Sequence, residues 1–167
     1  MIHRTAMARP HACVLMVLLS LMVASAAETP DFSGSYTLTP AKHVSKSVKE
    51  VIEALTVVQT VNAIVVTRIT DGKPHTNTFP LDGGEGVCYT ENHTKGTCKG
   101  HFKGNQLFLD STVITHPLSD GPLVVIRYKE RWQLSSDSKT LKIHREVEAP
   151  LSPASIEEPW TDVYTRN

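Results

Sequence analysis

The chain is short, electrically balanced and moderately hydrophobic. It has 167 residues, 40% of them hydrophobic, with 17 basic and 17 acidic side chains. This length suits one domain with a real core, and the balanced charge argues against a nucleic-acid partner, which would require a basic surface.

The first 27 residues have the pattern of a signal peptide. Arg4 and Arg9 give a basic start, and the apolar run Ala12–Val23 that follows is too short for a comfortable membrane span. Small residues at 24–27 offer a cleavage site, with a retained N-terminal anchor as the alternative. We expect residues 28–167 to form a secreted or periplasmic product without a membrane span. It would keep 15 basic and 17 acidic residues, a net charge of −2.

The rest of the chain is a series of short β-rich segments separated by turn signals. A polar loop is expected at Ala41–Val51, with a short helical turn at Ser47–Ile52, and a Pro-rich stretch at Ala149–Pro159. The predicted strands are Phe32–Leu38, Ala54–Thr60, Ile64–Thr70, His75–Pro80, Val87–Glu91, Lys95–Phe102, Gln106–Thr115, a hairpin within Leu123–Glu148, and Trp160–Thr165.

This spacing predicts an all-β fold, an antiparallel up-and-down meander of about eight to ten strands. A meander of this length tends to close into a barrel, because closure removes both exposed edges. An immunoglobulin-like sandwich is less suited, because the chain lacks a widely spaced cysteine pair with a tryptophan between its sheets.

Cys88 and Cys98 are the two cysteines that remain after cleavage, and in an oxidising compartment they are expected to form a disulfide. If they face each other across a hairpin, Glu91 faces Lys95 and Asn92–Thr94 forms the tip. A metal site with His93 and His101 is the alternative, although the spacing fits no zinc pattern. Asn92 also begins a glycosylation sequon, which matters only in a eukaryotic source.

The segment Leu123–Glu148 alternates with period two and predicts its own register. If Asp137-Ser138 forms the loop, Leu134 opposes Leu141 on the inner face. A longer loop with the same pairing remains open. The register also places Trp132 opposite Ile143, Tyr128 opposite Val147, Lys129 opposite Glu146, Arg127 opposite Glu148, and Glu130 opposite Arg145.

Glu130 and Arg145 break the apolar pattern of the inner face and are the main candidates for chemistry. Three interpretations stay open: a structural ion pair, a charged contact to the polar end of a bound apolar molecule, or a general base at Glu130 tuned by Arg145.

Three aromatic side chains, Tyr36, Tyr128 and Trp132, are predicted to form an inner wall. They either fill a small barrel or line a cavity, and Glu130 is a natural acceptor for a neighbouring tyrosine or tryptophan donor. The scattered histidines show no metal-ligand spacing, and no nucleotide or catalytic fingerprint occurs. We expect no metal and no cofactor.

Two segments resemble bacterial secreted lipocalin-like proteins. Asp31-Phe32-Ser33-Gly34-Ser35-Tyr36-Thr37-Leu38 is similar to the Asp-Phe-x-Gly-x-Trp-x-Leu opening of that family, with tyrosine in place of tryptophan. Lys129–Ser135 with Lys139–Leu141 and Arg145 resembles its late hairpin. The resemblance implies a barrel with a central cavity, and it implies that Arg166 packs over Tyr36.

The leading hypothesis is therefore a secreted lipocalin-like barrel that binds a small, mostly apolar molecule without catalysis. The predicted ligand contacts are Tyr36, Tyr128, Glu130, Trp132 and Arg145. The alternatives are a structural or interaction module of the cell envelope with a solid barrel, and more weakly a barrel enzyme that uses Glu130 as acid or base. The sequence does not indicate which protein partner, if any, the chain binds.

Overall fold

The structure, a computed structural model, describes residues 29–39, 51–91, 93–116, 121–149 and 158–167. These residues form ten β-strands and no helix, which confirms the all-β prediction. The strands are β1 (Gly34–Leu38), β2 (Ile52–Gln59), β3 (Ala63–Thr70), β4 (Lys73–Pro80), β5 (Gly86–Glu91), β6 (Thr94–Lys103), β7 (Gln106–Thr115), β8 (Val124–Leu134), β9 (Thr140–Glu148) and β10 (Trp160–Arg166).

The ten strands form one antiparallel sheet that curves into a nearly closed barrel. Its order is β4-β3-β2-β1-β10-β9-β8-β7-β6-β5, so β1 pairs with the last strand while β4 and β5 are the two edges. The predicted meander barrel is therefore confirmed as a nearly closed one, with backbone pairing absent between β4 and β5. β4 and β5 come from consecutive segments, yet no ladder of hydrogen bonds joins them.

Side chains bridge this gap between β4 and β5. Asn77 Nδ2 donates to the carbonyl of Cys88 over 3.5 Å. Further along, Pro80 lies so close to Gly86 that a Cβ there would meet the proline Cγ at 2.8 Å. Pro80 and Gly86 thus let the two edges approach through van der Waals contact where backbone pairing is absent.

The predicted register of the β8–β9 hairpin is confirmed at every pair. Its loop is longer than two residues, because Ser135 N donates to Thr140 O and Ser138 adopts a positive φ of 57°. On the outer face, Lys129 makes its ion pair with Glu148, which lies two residues along β9 from Glu146, the residue directly opposite.

The cysteines form the predicted disulfide, but the predicted register of their hairpin is wrong. Cys88–Cys98 is bonded with a Cα–Cα distance of 5.7 Å. A bulge lies between Val87 and Tyr89, so Gly86 opposes Cys98. The extra residue turns Cys88 towards its partner without a directly opposed pair.

The core fills one half of the barrel interior, at the end where the chain begins β1. Its members are apolar side chains from nearly every strand, together with Phe32 just before β1. They are Phe32, Tyr36, Leu55, Val57, Ile64, Val66, Phe79, Cys98, Leu107, Leu109, Trp132, Leu141, Ile143 and Tyr164. We call this the closed half.

Several predictions fall outside the described residues: the signal peptide at 1–27, residues 47–50 of the expected helical turn, the Asn92 sequon and residues 150–157 of the Pro-rich stretch. At the last residue of the expected helical turn the prediction is wrong, because Ile52 is the first residue of β2. Within the described ranges, no helix is long and apolar enough to cross a membrane.

Candidate functional site

The barrel has a second end, opposite the closed half. Strand ends at Leu38, Ile52, Thr115, Val124 and Trp160 all lie there, as the antiparallel register requires. We call the interior next to these strand ends the open half.

The Gly34-x-Tyr36 segment anchors the closed half. Tyr36 is fully buried, and its hydroxyl donates to the carbonyl of Phe32 over 2.9 Å. The Arg166 guanidinium lies 5.4 Å from the Tyr36 ring centroid, which confirms the predicted packing. Arg166 also donates to the carbonyls of Asp31 and Ser33. The last strand thereby ties down the segment that enters the first.

Glycine at position 34 is required by this packing. Gly34 has a φ of +148°, and a Cβ on it would lie 2.8 Å from Arg166 Nε. We expect Gly34→Ala to lower the free energy of unfolding by about 1–3 kcal/mol, because it combines backbone strain with displacement of Arg166. Urea unfolding measures the loss.

The neighbouring Ser35→Ala is the matched control for this prediction. Ser35 is exposed on the same strand, so its loss should change stability by less than about 0.5 kcal/mol. Equal stabilities for Gly34→Ala and Ser35→Ala would contradict the proposed role of Gly34.

Glu130 and Arg145 form the predicted inner ion pair. Arg145 Nε donates to Glu130 Oε1 over 3.0 Å, and both side chains are nearly inaccessible. Trp132 Nε1 donates to Glu130 Oε2 over 2.8 Å, so the predicted tryptophan donor is also confirmed. The inner face of one hairpin thus supplies both charges and two hydrogen bonds to Glu130.

Arg68 on β3 joins this pair from across the barrel. In the sheet order, β3 and β8 lie five positions apart in ten, and therefore on opposite walls. Arg68 nonetheless places one terminal nitrogen 2.9 Å from Glu130 Oε2, so the ion pair spans the interior. Its other terminal nitrogen donates to Asn77 over 3.1 Å, which continues the network to the gap between β4 and β5.

Asp162 on β10 completes the network on the other side. It forms an ion pair with Arg145 and accepts a 3.2 Å hydrogen bond from Trp160 Nε1. Arg145 also donates to the Tyr164 hydroxyl over 3.3 Å. We call Arg68, Glu130, Arg145 and Asp162 the ion-pair layer, and it separates the closed half from the open half.

The surroundings of Glu130 stabilise its ionised form. Burial by itself raises the pKa of this carboxyl, but the guanidinium groups of Arg68 and Arg145 and the Trp132 hydrogen bond outweigh burial and lower the pKa to about 2. A carboxylate of such low basicity is poorly matched to general-base catalysis at neutral pH. Glu130 therefore acts as a permanently ionised member of the ion-pair layer.

Side chains on the inner face of β8 are more exposed in the open half than at Trp132 in the closed half. Trp132 is 0% exposed, whereas Tyr128 is 38% and Val124 43% exposed. Ile126 lies between them and is partly exposed, as is Val147 opposite Tyr128. These inward-facing apolar side chains of the open half are therefore less covered than those of the packed core.

The five predicted ligand contacts thus separate into three levels. Tyr36 and Trp132 lie in the packed core, and Glu130 and Arg145 lie in the ion-pair layer. Tyr128 lies on the inner face of the open half. The structure brings Glu130, Trp132 and Arg145 together and leaves Tyr36 and Tyr128 in separate regions.

Sequence reasoning missed Arg68 and Asp162, although a signal for each was present. Alternation along β3 groups Arg68 with Ile64 and Val66, and alternation along β10 groups Asp162 with Trp160 and Tyr164. The period-two rule that identified Glu130 and Arg145 would have placed both on the inner face.

A shallow depression of about 470 Å³ lies mainly on the outer face of β6, β7 and β8. Outward side chains of both charges dominate its lining, among them Lys99, Asp110, Arg127 and Lys129. Such a lining is less suited to an apolar molecule than the inner wall of the open half.

No protein-family model matches the chain, and no curated protein matches it. Among solved structures, the chain is similar to one named REP1-NXSQ fatty acid transporter, with 14% identity and a TM-score of 0.49 over 81% of this chain and 95% of that one. It is also similar to human cRBP IV, with 12% identity and a TM-score of 0.45 over 83% of this chain and 99% of that one. The fold assignment stands on the strand pairing of this chain itself.

Proposed function

We propose that this protein binds a small, mostly apolar molecule in the open half of its barrel, without catalysing a reaction. The observation that carries the proposal is the contrast along the inner face of β8 between a fully buried Trp132 and the exposed Tyr128 and Val124, at 38% and 43%. A folded chain normally buries inward-facing apolar side chains, so a ligand is the natural group to cover these.

The wall of the open half suits an apolar body. Its exposed or partly exposed members on β7, β8 and β9 are Val113, Val124, Ile126, Tyr128 and Val147. The ion-pair layer limits how deep a ligand can enter, and it offers polar contacts at that depth. A molecule with an apolar body and one polar end fits this arrangement.

We also propose that the protein is exported and is related to secreted lipocalin-like proteins. The apolar N-terminal run, the disulfide and the Gly34-Tyr36-Arg166 arrangement support it. Intact-mass measurement of the protein from fractionated cells tests export. We expect a product beginning near Glu28 outside the cytoplasm, and an uncleaved cytoplasmic product would contradict export.

The binding test is a fluorescence titration with Nile red, a neutral dye that brightens in apolar sites. We expect saturable binding to the wild type. Ile126→Asn should weaken that binding roughly tenfold, because it places an amide on the inner wall.

Val125→Asn is the matched control, since Val125 neighbours Ile126, has similar exposure and points outward. Equal effects of the two substitutions would place the dye outside the barrel. An absence of saturable binding would favour the solid structural barrel, for which the packed closed half already provides a basis.

A further inference from the structure

We infer that the open half selects an electrically neutral ligand with a hydrogen-bond acceptor at its polar end, such as an ester, ketone or alcohol, and discriminates against free carboxylates. The acceptor would lie against Arg68. This inference rests on the proposed function and specifies the ligand class of the same site.

The first step is the charge of the ion-pair layer. It contains two guanidinium groups and two carboxylates, and every charge touches one of opposite sign. Its net charge is therefore zero. A ligand carboxylate would lose hydration on entering and meet no net positive charge, whereas a neutral carbonyl loses much less.

The second step is the hydrogen-bonding capacity that the layer leaves over. Glu130 already accepts from Arg68, Trp132 and Arg145. A guanidinium has five N–H donors, and Arg68 donates once from each terminal nitrogen within the described structure. Arg68 thus has N–H donors for a ligand, whereas the Glu130 carboxylate already accepts three hydrogen bonds.

The four side chains of the ion-pair layer differ in how accessible they are. Arg68 has the most exposed side chain of the layer at 13%, against 10% for Glu130, 6% for Arg145 and 5% for Asp162. Arg68 is therefore the most accessible hydrogen-bond donor of the layer. An anion at Arg68 would also approach the Glu130 carboxylate, which lies 2.9 Å from the same guanidinium.

The experiment compares methyl decanoate with decanoate, which share chain length and carbonyl but differ in charge at neutral pH. Each displaces Nile red from the wild type, and the measured quantity is the ratio of their dissociation constants. We expect the ester to bind at least about tenfold more tightly. A ratio near one, or a preference for decanoate, overturns the inference while leaving the proposed function intact.

An ester is also intrinsically more apolar than a carboxylate. A variant must therefore separate the preference caused by the ion-pair layer from the preference caused by ligand polarity alone. Glu130→Gln leaves the layer with one net positive charge, and the preference for the ester should fall roughly tenfold or more. Asp162→Asn makes the same change of charge and serves if the first variant does not fold. An unchanged ratio in a folded variant overturns the inference.

Arg68→Met tests the donor directly. We expect it to weaken ester binding roughly fivefold to tenfold, because the acceptor loses its partner. Arg131→Met is the matched control, since Arg131 is exposed and points outward from β8. Unchanged ester affinity in Arg68→Met would place the ligand's polar end elsewhere. Failure of the wild type to bind Nile red, the ester and decanoate would instead contradict the proposed function itself.

Discussion

Replacing Glu130 with alanine is expected to lower the free energy of unfolding by about 3–5 kcal/mol. The substitution removes the one carboxylate that Arg68 and Arg145 share, and it leaves Trp132 Nε1 without its acceptor. Arg145 keeps its ion pair with Asp162, but Arg68 becomes an unpaired guanidinium group in a poorly solvated interior, which is strongly destabilising. Urea unfolding of the wild type and the variant measures the difference.

Glu148→Ala is the matched control, because Glu148 forms an ion pair with Lys129 on the outer face of the same two strands. Both of those side chains are nearly half exposed and screened by water, so the control should lower the free energy of unfolding far less than Glu130→Ala does. A similar small loss for Glu130→Ala would show that the ion-pair layer is well solvated, and the distinction between the two halves of the barrel would fail.

Acid is expected to remove about 3 kcal/mol of stability by protonating the Glu130 carboxylate. Its pKa falls from 4.5 to about 2 on folding, because the stabilising guanidinium groups and Trp132 outweigh burial. Since the folded-state pKa is the lower one, this contribution is complete above about pH 4.5 and is lost as the pH falls towards 2.

Urea unfolding at a series of pH values measures this dependence. Glu130→Gln is the reference, because an amide cannot titrate and its stability should change less over the same interval. The wild-type and variant curves should converge as the pH falls. Curves that stay parallel from pH 4.5 to 2 would contradict the lowered pKa of Glu130.

The β8–β9 hairpin shows how much of the site was predictable from local sequence. Its two strands are joined by a short loop, and alternating side chains fix which residues share a face. The mismatched charges of Glu130 and Arg145 then left one sensible register, and the structure confirms it. The packing of Arg166 over Tyr36 was predictable only through the family resemblance, since 130 positions separate the two residues.

The cysteine hairpin shows where local patterns fail. β6 begins Thr94-Lys95-Gly96-Thr97 and has no apolar alternation to fix its partner's register. Gly96 also allows Tyr89 to approach closely, because a Cβ at that glycine would lie 2.9 Å from the tyrosine Cβ. The bulge depends on this contact between strands. A register derived for a symmetric hairpin does not include it.

The sequence by itself determined the all-β meander, the inward faces of its strands and the pairing of Glu130 with Arg145. Each of these follows from period-two alternation and short connections, which act within one or two strands. The tertiary structure alone decided that Arg68, 62 positions from Glu130, completes the ion-pair layer from the opposite wall. It also decided that β4 and β5 remain unpaired and that Tyr128 stays accessible while Trp132 is buried. These features depend on how the sheet curves around its interior, because curvature sets which distant side chains meet and how much space lies between them.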